Sequence, residues 1–238
     1  MEYEAWAPIY DAIVADFGFD PDADRRARDY LDDRVERFDR ARLDFDGGTV
    51  AIAGGSEHLQ KDLDQARAAD RVVAVSSAAA VLRTDGVEPD LIVTDLDGTP
   101  ETAVELSHQG IPVAVHAHGD NREALDEYLP QFASKQVLAT TQVEPTERVL
   151  NVGGFTDGDR AAFIADALGA RRLTFPGWDL DDPGVSAIKA RKLQWAARLL
   201  RCLERRRGDQ FDLLDGRREP LDATIADASW GSSCRFEG

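Results

Sequence analysis

Lysine is scarce in this 238-residue chain, in which 28 basic residues face 45 acidic ones and the formal net charge is −17. The lysines are Lys61, Lys135, Lys189 and Lys192. An acidic, lysine-poor surface keeps a protein soluble and is typical of halophilic proteins; an acidic face that docks a basic partner is the alternative. We expect no nucleic-acid partner, because neutralising a duplex requires a basic surface.

Cysteine and long apolar runs are also rare. The two cysteines, Cys202 and Cys234, lack the spacing of metal ligands, so we expect reduced thiols and no disulfide framework. No apolar stretch approaches the ~20 residues that a membrane span needs. The acidic start of the chain also lacks the basic residues of a secretory signal. These features predict a cytoplasmic protein with no membrane partner.

The hydrophobic pattern divides the chain into a helical beginning and an alternating remainder. Apolar stripes predict helices within residues 1–45, first along Trp6, Ile9, Ile13 and Phe17, then along Leu31, Val35 and Phe38. After Asp46-Gly47-Gly48, short apolar runs predict strands at Thr49–Ala53, Val72–Val75, Leu91–Thr94, Val113–His116, Gln136–Ala139 and Arg171–Phe175.

Amphipathic stretches separate these strands, with helices predicted near 56–69, 77–85, 99–109, 121–129 and 157–168. This alternation indicates βαβ units and an α/β fold with a doubly wound, mostly parallel, Rossmann-like sheet. A longer helix is predicted at about 184–203. We therefore predict an N-terminal helical segment (1–45), an α/β catalytic domain (46–204), and a C-terminal short hairpin with a fraying polar tail (205–238).

The sharpest motif is the segment 89–98, which reads PDLIVTDLDG. A buried strand ends there in Asp95 and Asp97, and residues two apart in an extended segment point the same way. Mg²⁺ is usually held by one or two carboxylates together with substrate phosphates. We therefore predict a metal site at Asp95 and Asp97, with a helix-capping turn as the alternative.

The next strand ends in a polar run, His116 to Asn121, which reads HAHGDN. His116 and His118 share a face, but two histidines without a third nearby ligand make a weak zinc site. We predict that both histidines and Asn121 contact phosphates. Asp120 is predicted to bind Mg²⁺ or to orient a nucleophile, and a polar-capped turn is the alternative.

Glycine-rich turns follow two strands and open helices. Gly54, Gly55 and Ser56 come after the first strand, where a helix N-terminus favours a phosphate. In the segment 151–160, Thr156 and Arg160 are candidate contacts of a phosphate or of the acceptor, and Asp157 is a candidate partner for donor atoms of a flat ring. Trp178 and Asp179 follow another strand and suit a heterocycle, and Lys189 is a further phosphate candidate. A capped turn is the alternative for Gly54 to Ser56, a core tryptophan with a loop aspartate for Trp178 and Asp179, and a solvated helix face for Lys189.

Two known families share parts of this pattern. The segment 93–99, VTDLDGT, resembles the first motif of haloacid-dehalogenase-type phosphatases, which belongs to their first strand; here two probable strands precede it. The whole set of motifs occurs in the order seen in archaeal 6-hydroxymethyl-7,8-dihydropterin diphosphokinases of the MptE type, which are related in their core to thiamine pyrophosphokinases. This second resemblance spans about residues 50–200, although Ser76-Ser77-Ala78-Ala79 stands where that pattern has an acidic residue and a glycine.

The resemblance implies a Mg²⁺-dependent transfer of diphosphate from ATP to the hydroxymethyl group of a pterin, with AMP released, as a step in making a tetrahydromethanopterin- or folate-type cofactor. Asp95, Asp97 and Asp120 would then be the catalytic metal ligands. Thiamine as the acceptor, a phosphatase that uses Asp95 and Asp97, and a non-catalytic nucleotide sensor stay open as alternatives. The sequence leaves open whether the chain forms a homo-oligomer.

Overall fold

A computed structural model describes residues 1–235 of the chain, and within that range a seven-stranded sheet forms the centre of the fold. All its strand pairs are parallel, in the order β6-β5-β4-β3-β2-β1-β7. The strands are β1 (Thr49–Ala53), β2 (Arg71–Val75), β3 (Leu91–Thr94), β4 (Val113–Ala117), β5 (Val137–Thr141), β6 (Val149–Leu150) and β7 (Arg172–Thr174). The predicted α/β class and doubly wound parallel sheet are confirmed.

Helices cover both faces of the sheet. They are α1 (Tyr3–Phe17), α2 (Pro21–Asp32), α3 (Leu59–Arg67), α4 (Ala78–Thr84), α5 (Pro100–His108), α6 (Arg122–Tyr128), α7 (Asp157–Ala167), α8 (Ala187–Arg207) and α9 (Arg218–Asp227). Residues of α2 to α6 pack into one core cluster, and residues of α1, α7, α8 and α9 pack into the other. None of the helices in the described range is long and apolar enough to cross a membrane.

This division of the helices follows from the strand order. Each connection from β1 to β6 moves one strand along the sheet, and right-handed crossovers then place α3 to α6 on one face. Helix α7 returns the chain across the opposite face and contacts β1, β2 and β3 before β7 pairs with β1. Strands covered on both faces read as continuous apolar runs, which is why β3 was predictable with its bounds.

Three local predictions need correction. Helix α2 ends at Asp32, so Val35 and Phe38 lie outside a helix, although Phe38 is still buried. The two-residue strand β6 was missed because it is too short to carry a pattern. The predicted hairpin near Asp215 is wrong: a 3₁₀ turn at Asp212–Leu214 and helix α9 occupy that stretch.

The C-terminal tail is packed onto the protein as far as Cys234, contrary to the predicted fraying. Trp230 is buried against Trp195 of α8, with ring centroids 5.6 Å apart. Cys202 and Cys234 form a disulfide bond, so the prediction of reduced thiols is wrong. The cysteines are 32 residues apart in the chain, and nothing in the sequence indicated that the tail folds back on α8. Residues 236–238 of the predicted tail lie outside the described residues.

We expect reduction of this disulfide to destabilise the protein measurably. Opening a loop with a 32-residue separation restores chain entropy to the unfolded state, and the loop-length relation gives roughly 3 to 4 kcal/mol. Urea unfolding with and without dithiothreitol measures the change. The double variant Cys202→Ala/Cys234→Ala is the control, since its stability should not respond to reductant. An equal response of both proteins to reductant would contradict the cross-link.

Candidate active site

A cavity of about 640 Å³ opens at the carboxyl ends of the strands. In open α/β sheets this edge is where ligands bind, near the point at which the strand order reverses. Here that point lies between β1 and β7, because the chain reaches β7 only after completing the other six strands. The cavity wall combines loops that follow β1 to β5 and β7, the start of α7, the start of α8, and the segment that joins α1 to α2.

A tight turn after β3 presents the first two carboxylates. Leu96 has a φ of 71°, and its N–H donates to the Thr94 hydroxyl. The N–H of Asp97 donates to Oδ1 of Asp95 over 3.1 Å. Asp95 and Asp97 therefore converge as predicted, but the reason is wrong: the chain turns through Leu96 in the left-handed region instead of staying extended.

The third member of the cluster is Asp157, the first residue of α7. One carboxylate oxygen from each of Asp95, Asp97 and Asp157 can be chosen so that all three lie within 4.8 Å of one another. Asp157 accepts a hydrogen bond from the backbone N–H of Asp95 over 3.1 Å. The sequence interpretation assigned Asp157 to a ring and Asp120 to the metal, whereas the structure groups Asp157 with the first two carboxylates.

Arg160 stabilises the acidic cluster through a buried ion pair with Asp157. Its guanidinium donates to Asp157 over 2.8 Å and to the carbonyl of Phe155 over 2.8 Å. Only 4% of the Arg160 side chain and 9% of the Asp157 side chain are exposed. Because this guanidinium is buried and held at two points, it neutralises Asp157 and is less free to grip a phosphate than the sequence implied.

The cluster shifts the protonation of its members in different directions. Burial, and then the charge of Asp95, raise the pKa of Asp157 well above its ordinary value. The same two causes raise the pKa of Asp97. Burial opposes ionisation of Asp95 too, but the adjacent His118 ring, the N–H of Asp97 and the charge of Arg160 together outweigh it and lower the pKa of Asp95. Carboxylates crowded in this way are stabilised by a bound cation.

The polar residues at the end of β4 lie beside this cluster, and each makes different contacts. His118 places Nε2 3.5 Å from Oδ2 of Asp95, and its Nδ1 accepts from the N–H of Asp120. Asp120 lines the cavity and is exposed, but it is outside the group of three carboxylates. Asn121 donates to the carbonyls of Asp95 and His116 and accepts from the N–H of His118. Asn121 therefore joins the ends of β3 and β4 and has no free amide hydrogen for a phosphate.

The turn after β1 meets the turn after β7 at very close range. The N–H groups of Gly54 and Ser56 donate to the carbonyls of Pro176 and Gly177. A Cβ on Gly54 would lie 2.6 Å from the Gly177 carbonyl oxygen. Only glycine fits at position 54, because the two turns approach each other so closely there. Gly55 also lines the cavity. The two bonded amides are unavailable to a phosphate unless this contact opens.

The second glycine turn shapes the start of α7. The Thr156 hydroxyl and N–H both donate to Asp159, which completes a capping box. Gly154 has a φ of 97°, and a Cβ there would collide with the backbone of Arg160. The turn thus fixes Asp157 and Arg160 in place, and the Thr156 hydroxyl is already engaged.

The turn after β7 and the start of α8 contribute an aromatic ring and cations. Trp178 donates its indole N–H to the Ile52 carbonyl over 2.8 Å and packs against Gly158. Asp179 accepts from the N–H of Asp181, and it lines the cavity with Trp178. Lys189 is exposed at the cavity wall, where its charge acts on Asp97.

Sequence reasoning missed the wall that the N-terminal segment provides. Asp24 of α2 is buried and accepts from the Tyr10 hydroxyl, the Gln142 amide and the N–H of Gly119. Asp24 and Gln142 both line the cavity, as does Phe19. Asp24 and Gln142 are 118 residues apart, so no local pattern could have linked them. The burial of Asp24 within α2 is visible only in the structure.

We predict that Gly154→Ala costs more stability than Gly86→Ala. Gly86 also has a positive φ, 71°, but has open space around it. Both alanines incur the left-handed penalty of roughly 1 to 2 kcal/mol, whereas only Ala at 154 would also push against α7, for a further 1 to 3 kcal/mol or so. Urea unfolding compares the two, and equal losses would show that this turn does not press on α7.

Comparison with known proteins gives one consistent result. Residues 28–184 match the family described as 6-hydroxymethylpterin diphosphokinase MptE-like. A 6-hydroxymethyl-7,8-dihydropterin pyrophosphokinase from Methanothermobacter thermautotrophicus is 38% identical over 225 residues, which cover 86% of this chain and 96% of that protein.

Two further proteins with the same name resemble the chain over similar lengths. The one from Pyrococcus furiosus is 34% identical, with 86% of this chain and 95% of that protein covered. The one from Methanocaldococcus jannaschii is 30% identical, with 86% and 96% covered. The resemblance drawn from the motifs is confirmed, and the chain belongs to the MptE-like family of 6-hydroxymethylpterin diphosphokinases.

Proposed function

We propose that this protein transfers a diphosphate group from ATP to the hydroxymethyl oxygen of 6-hydroxymethyl-7,8-dihydropterin, in the presence of Mg²⁺. The acceptor oxygen forms a bond to the β-phosphorus, the bond from that phosphorus to the oxygen of the α-phosphate breaks, and AMP leaves. The hydroxyl proton is released. The product is a pterin diphosphate, which a later step of tetrahydromethanopterin- or folate-type cofactor synthesis would use.

The observation that carries the proposal is the group of three carboxylates in the cavity of a chain from this family. The donor set fits Mg²⁺, which prefers oxygen ligands and is commonly held by carboxylates plus substrate phosphates. Asp95, Asp97 and Asp157 would hold it. When bound, the cation would neutralise charge on the phosphates and favour attack at phosphorus.

The remaining residues would position these groups. Arg160 keeps Asp157 in place and balances part of its charge. The Ser76 hydroxyl donates to Oδ1 of Asp97 over 3.1 Å and so restrains the most exposed of the three carboxylates. Lys189 stands where it can attract the phosphates of ATP, since catalysis of this transfer is mainly positioning and charge neutralisation.

The hydrogen bonds of the site decide which of the predicted ligand contacts we keep and which we reassign. We keep Gly55, His118 and Lys189 as phosphate contacts and Asp120 as a group that can reach ATP or its metal through water. We reassign Asn121 and Thr156 to holding the loops, because their hydrogen bonds are internal. Trp178 and Asp179 stay proposed contacts of a bound ring.

Thiamine and phosphatase activities are the alternatives. The names of the relatives favour the pterin, and the family match covers the Asp95–Asp97 motif that suggested a phosphatase. Following ³¹P signals of the protein with Mg²⁺ and ATP in concentrated KCl, with either acceptor, separates them. We expect AMP and a new diphosphate ester with the pterin alone. AMP with thiamine alone, or inorganic phosphate without any acceptor, would overturn the proposal.

We predict that Asp97→Asn lowers kcat/KM for diphosphate transfer by about 100-fold or more, because it removes a charged ligand from a site whose main task is electrostatic. Coupled detection of AMP at a fixed, low Mg²⁺ concentration measures the loss. Asp64→Asn is the matched control: its side chain is 98% exposed and outside the cavity, so its activity should equal that of the wild type. Wild-type turnover by Asp97→Asn would disprove the metal assignment.

A further inference from the structure

One side of the cavity differs in chemistry from the other. We use the name aromatic arm for the part of the cavity wall formed by Phe19, Asp24, His116, Gln142 and Phe155. It lies between the segment that joins α1 to α2 and the ends of β4 and β5. The rest of the wall includes the glycine turns after β1 and β7 and the exposed Lys189.

The sheet order places the carboxylates between these two parts. Asp95 and Asp97 follow β3, which has β2 and β1 on one side and β4 and β5 on the other. Asp157 starts α7, which crosses β1, β2 and β3. A metal-bound diphosphate at this cluster can therefore have the nucleotide on one side and the acceptor on the other.

The aromatic arm contains a buried nitrogen that has no partner. His116 is 1% exposed, and its Nε2 makes no hydrogen bond within the described structure. Its other nitrogen, Nδ1, lies 3.1 Å from the Thr140 hydroxyl. That hydroxyl donates to the carbonyl of Val115, so it accepts from Nδ1–H of His116. Burial lowers the pKa of His116 and keeps the ring neutral, which leaves Nε2 as an acceptor.

Gln142 supplies a second acceptor beside this ring. Its amide nitrogen donates to the Asp24 carboxylate over 2.6 Å, and a carboxylate can only accept in that pair. The amide oxygen of Gln142 is thus the atom left for another partner. Gln142 is 6% exposed and lines the same cavity as His116, at the end of the strand that pairs with β4.

Asp24 holds this arrangement rigid. Besides Gln142, it accepts from the Tyr10 hydroxyl over 2.6 Å and from the N–H of Gly119 over 2.7 Å. An added Cβ on Gly119 would lie 2.7 Å from Cβ of Ala23, so α2 sits directly against the turn after β4. The hydrogen bonds that Asp24 accepts therefore fix the wall of the aromatic arm before a ligand binds.

Two phenylalanine rings add apolar surface to the wall of the cavity that His116 and Gln142 also line. Phe19 and Phe155 have ring centroids 6.2 Å apart, and Phe17 packs against both of them. Phe19 is partly exposed and lines the cavity. Aromatic surface beside a few fixed polar atoms is the usual composition of a pocket for a flat heterocycle.

We propose that the aromatic arm binds the pterin ring of the acceptor; this rests on the proposed function. Adjacent N–H donors at positions 2 and 3 of the ring bond to Nε2 of His116 and Oε1 of Gln142. The ring packs against Phe19 and Phe155, and its hydroxymethyl group extends toward the carboxylates. A pair of acceptors suits this ring because its amino-pyrimidinone edge offers two neighbouring donors. His116 thus contacts the acceptor, in place of the phosphate contact expected from the sequence.

The test measures binding, independently of turnover. Full-length protein is titrated with 6-hydroxymethylpterin, followed by the intrinsic fluorescence of the pterin, and separately with Mg²⁺ and ATP by calorimetry. In His116→Phe, which keeps a ring but lacks the acceptor, we expect the Kd for the pterin to rise about tenfold or more and the Kd for ATP to change less than twofold. His108→Phe, an exposed histidine outside the cavity, is the matched control and should bind both ligands normally.

A second measurement uses the wild-type protein alone. Replacing the probe by 6-hydroxymethyllumazine, which has an oxygen in place of the 2-amino group, should weaken binding about tenfold or more. Equal affinity for the two probes, or normal pterin binding with weakened ATP binding in His116→Phe, overturns this assignment while diphosphate transfer still stands. Absence of both pterin binding and AMP formation in the wild type would instead defeat the proposed function as well.

Discussion

Mutual repulsion among Asp95, Asp97 and Asp157 is the constraint on which the rest of the site depends. The chosen carboxylate oxygens lie within 4.8 Å of one another, and two unit charges at that upper limit repel by roughly 3 to 4 kcal/mol at an effective dielectric constant near 20. The protein offsets part of this with the buried guanidinium of Arg160 and with the backbone N–H that Asp95 donates to Asp157. The remainder favours either proton uptake, as the raised pKa values of Asp97 and Asp157 indicate, or a divalent cation.

Holding the carboxylates together dictates the backbone around them. The chain must turn through a left-handed residue at Leu96, and Gly154 must leave room for the backbone of Arg160. Asn121 uses both amide hydrogens to join the loops after β3 and β4. Some residues that the sequence suggested as ligand contacts thus hold the loops of the site in place. Fewer polar atoms than the sequence suggested are therefore free to bind a ligand.

The sequence predicted those parts of the fold that depend on residues close together in the chain. Buried parallel strands are continuous apolar runs, so the bounds of β1 and β3 could be predicted from residues 49–53 and 91–94 alone. The Asp95–Asp97 pair could be found for the same reason, since it directly follows such a strand.

What the sequence did not predict depends on contacts between distant segments. Asp157 joins the cluster from 62 residues beyond Asp95, and Asp24 reaches Gln142 across 118 residues. The Cys202–Cys234 disulfide likewise depends on how the tail folds back. The N-terminal helices looked like an appendage because their polar residues gain meaning only when packed against the ends of β4 and β5.

The most direct measurement of the central claim asks which carboxylates hold the cation. Mn²⁺ can replace Mg²⁺, and its binding is followed by water-proton relaxation in the wild type, Asp157→Asn and Asp120→Asn. The account predicts that Asp157→Asn weakens Mn²⁺ binding about tenfold or more, because a charged ligand is lost, while Asp120→Asn stays within twofold of the wild type. Wild-type affinity in Asp157→Asn together with weakened binding in Asp120→Asn would contradict it and would leave Asp157 as a structural partner of Arg160 and the Asp95 N–H.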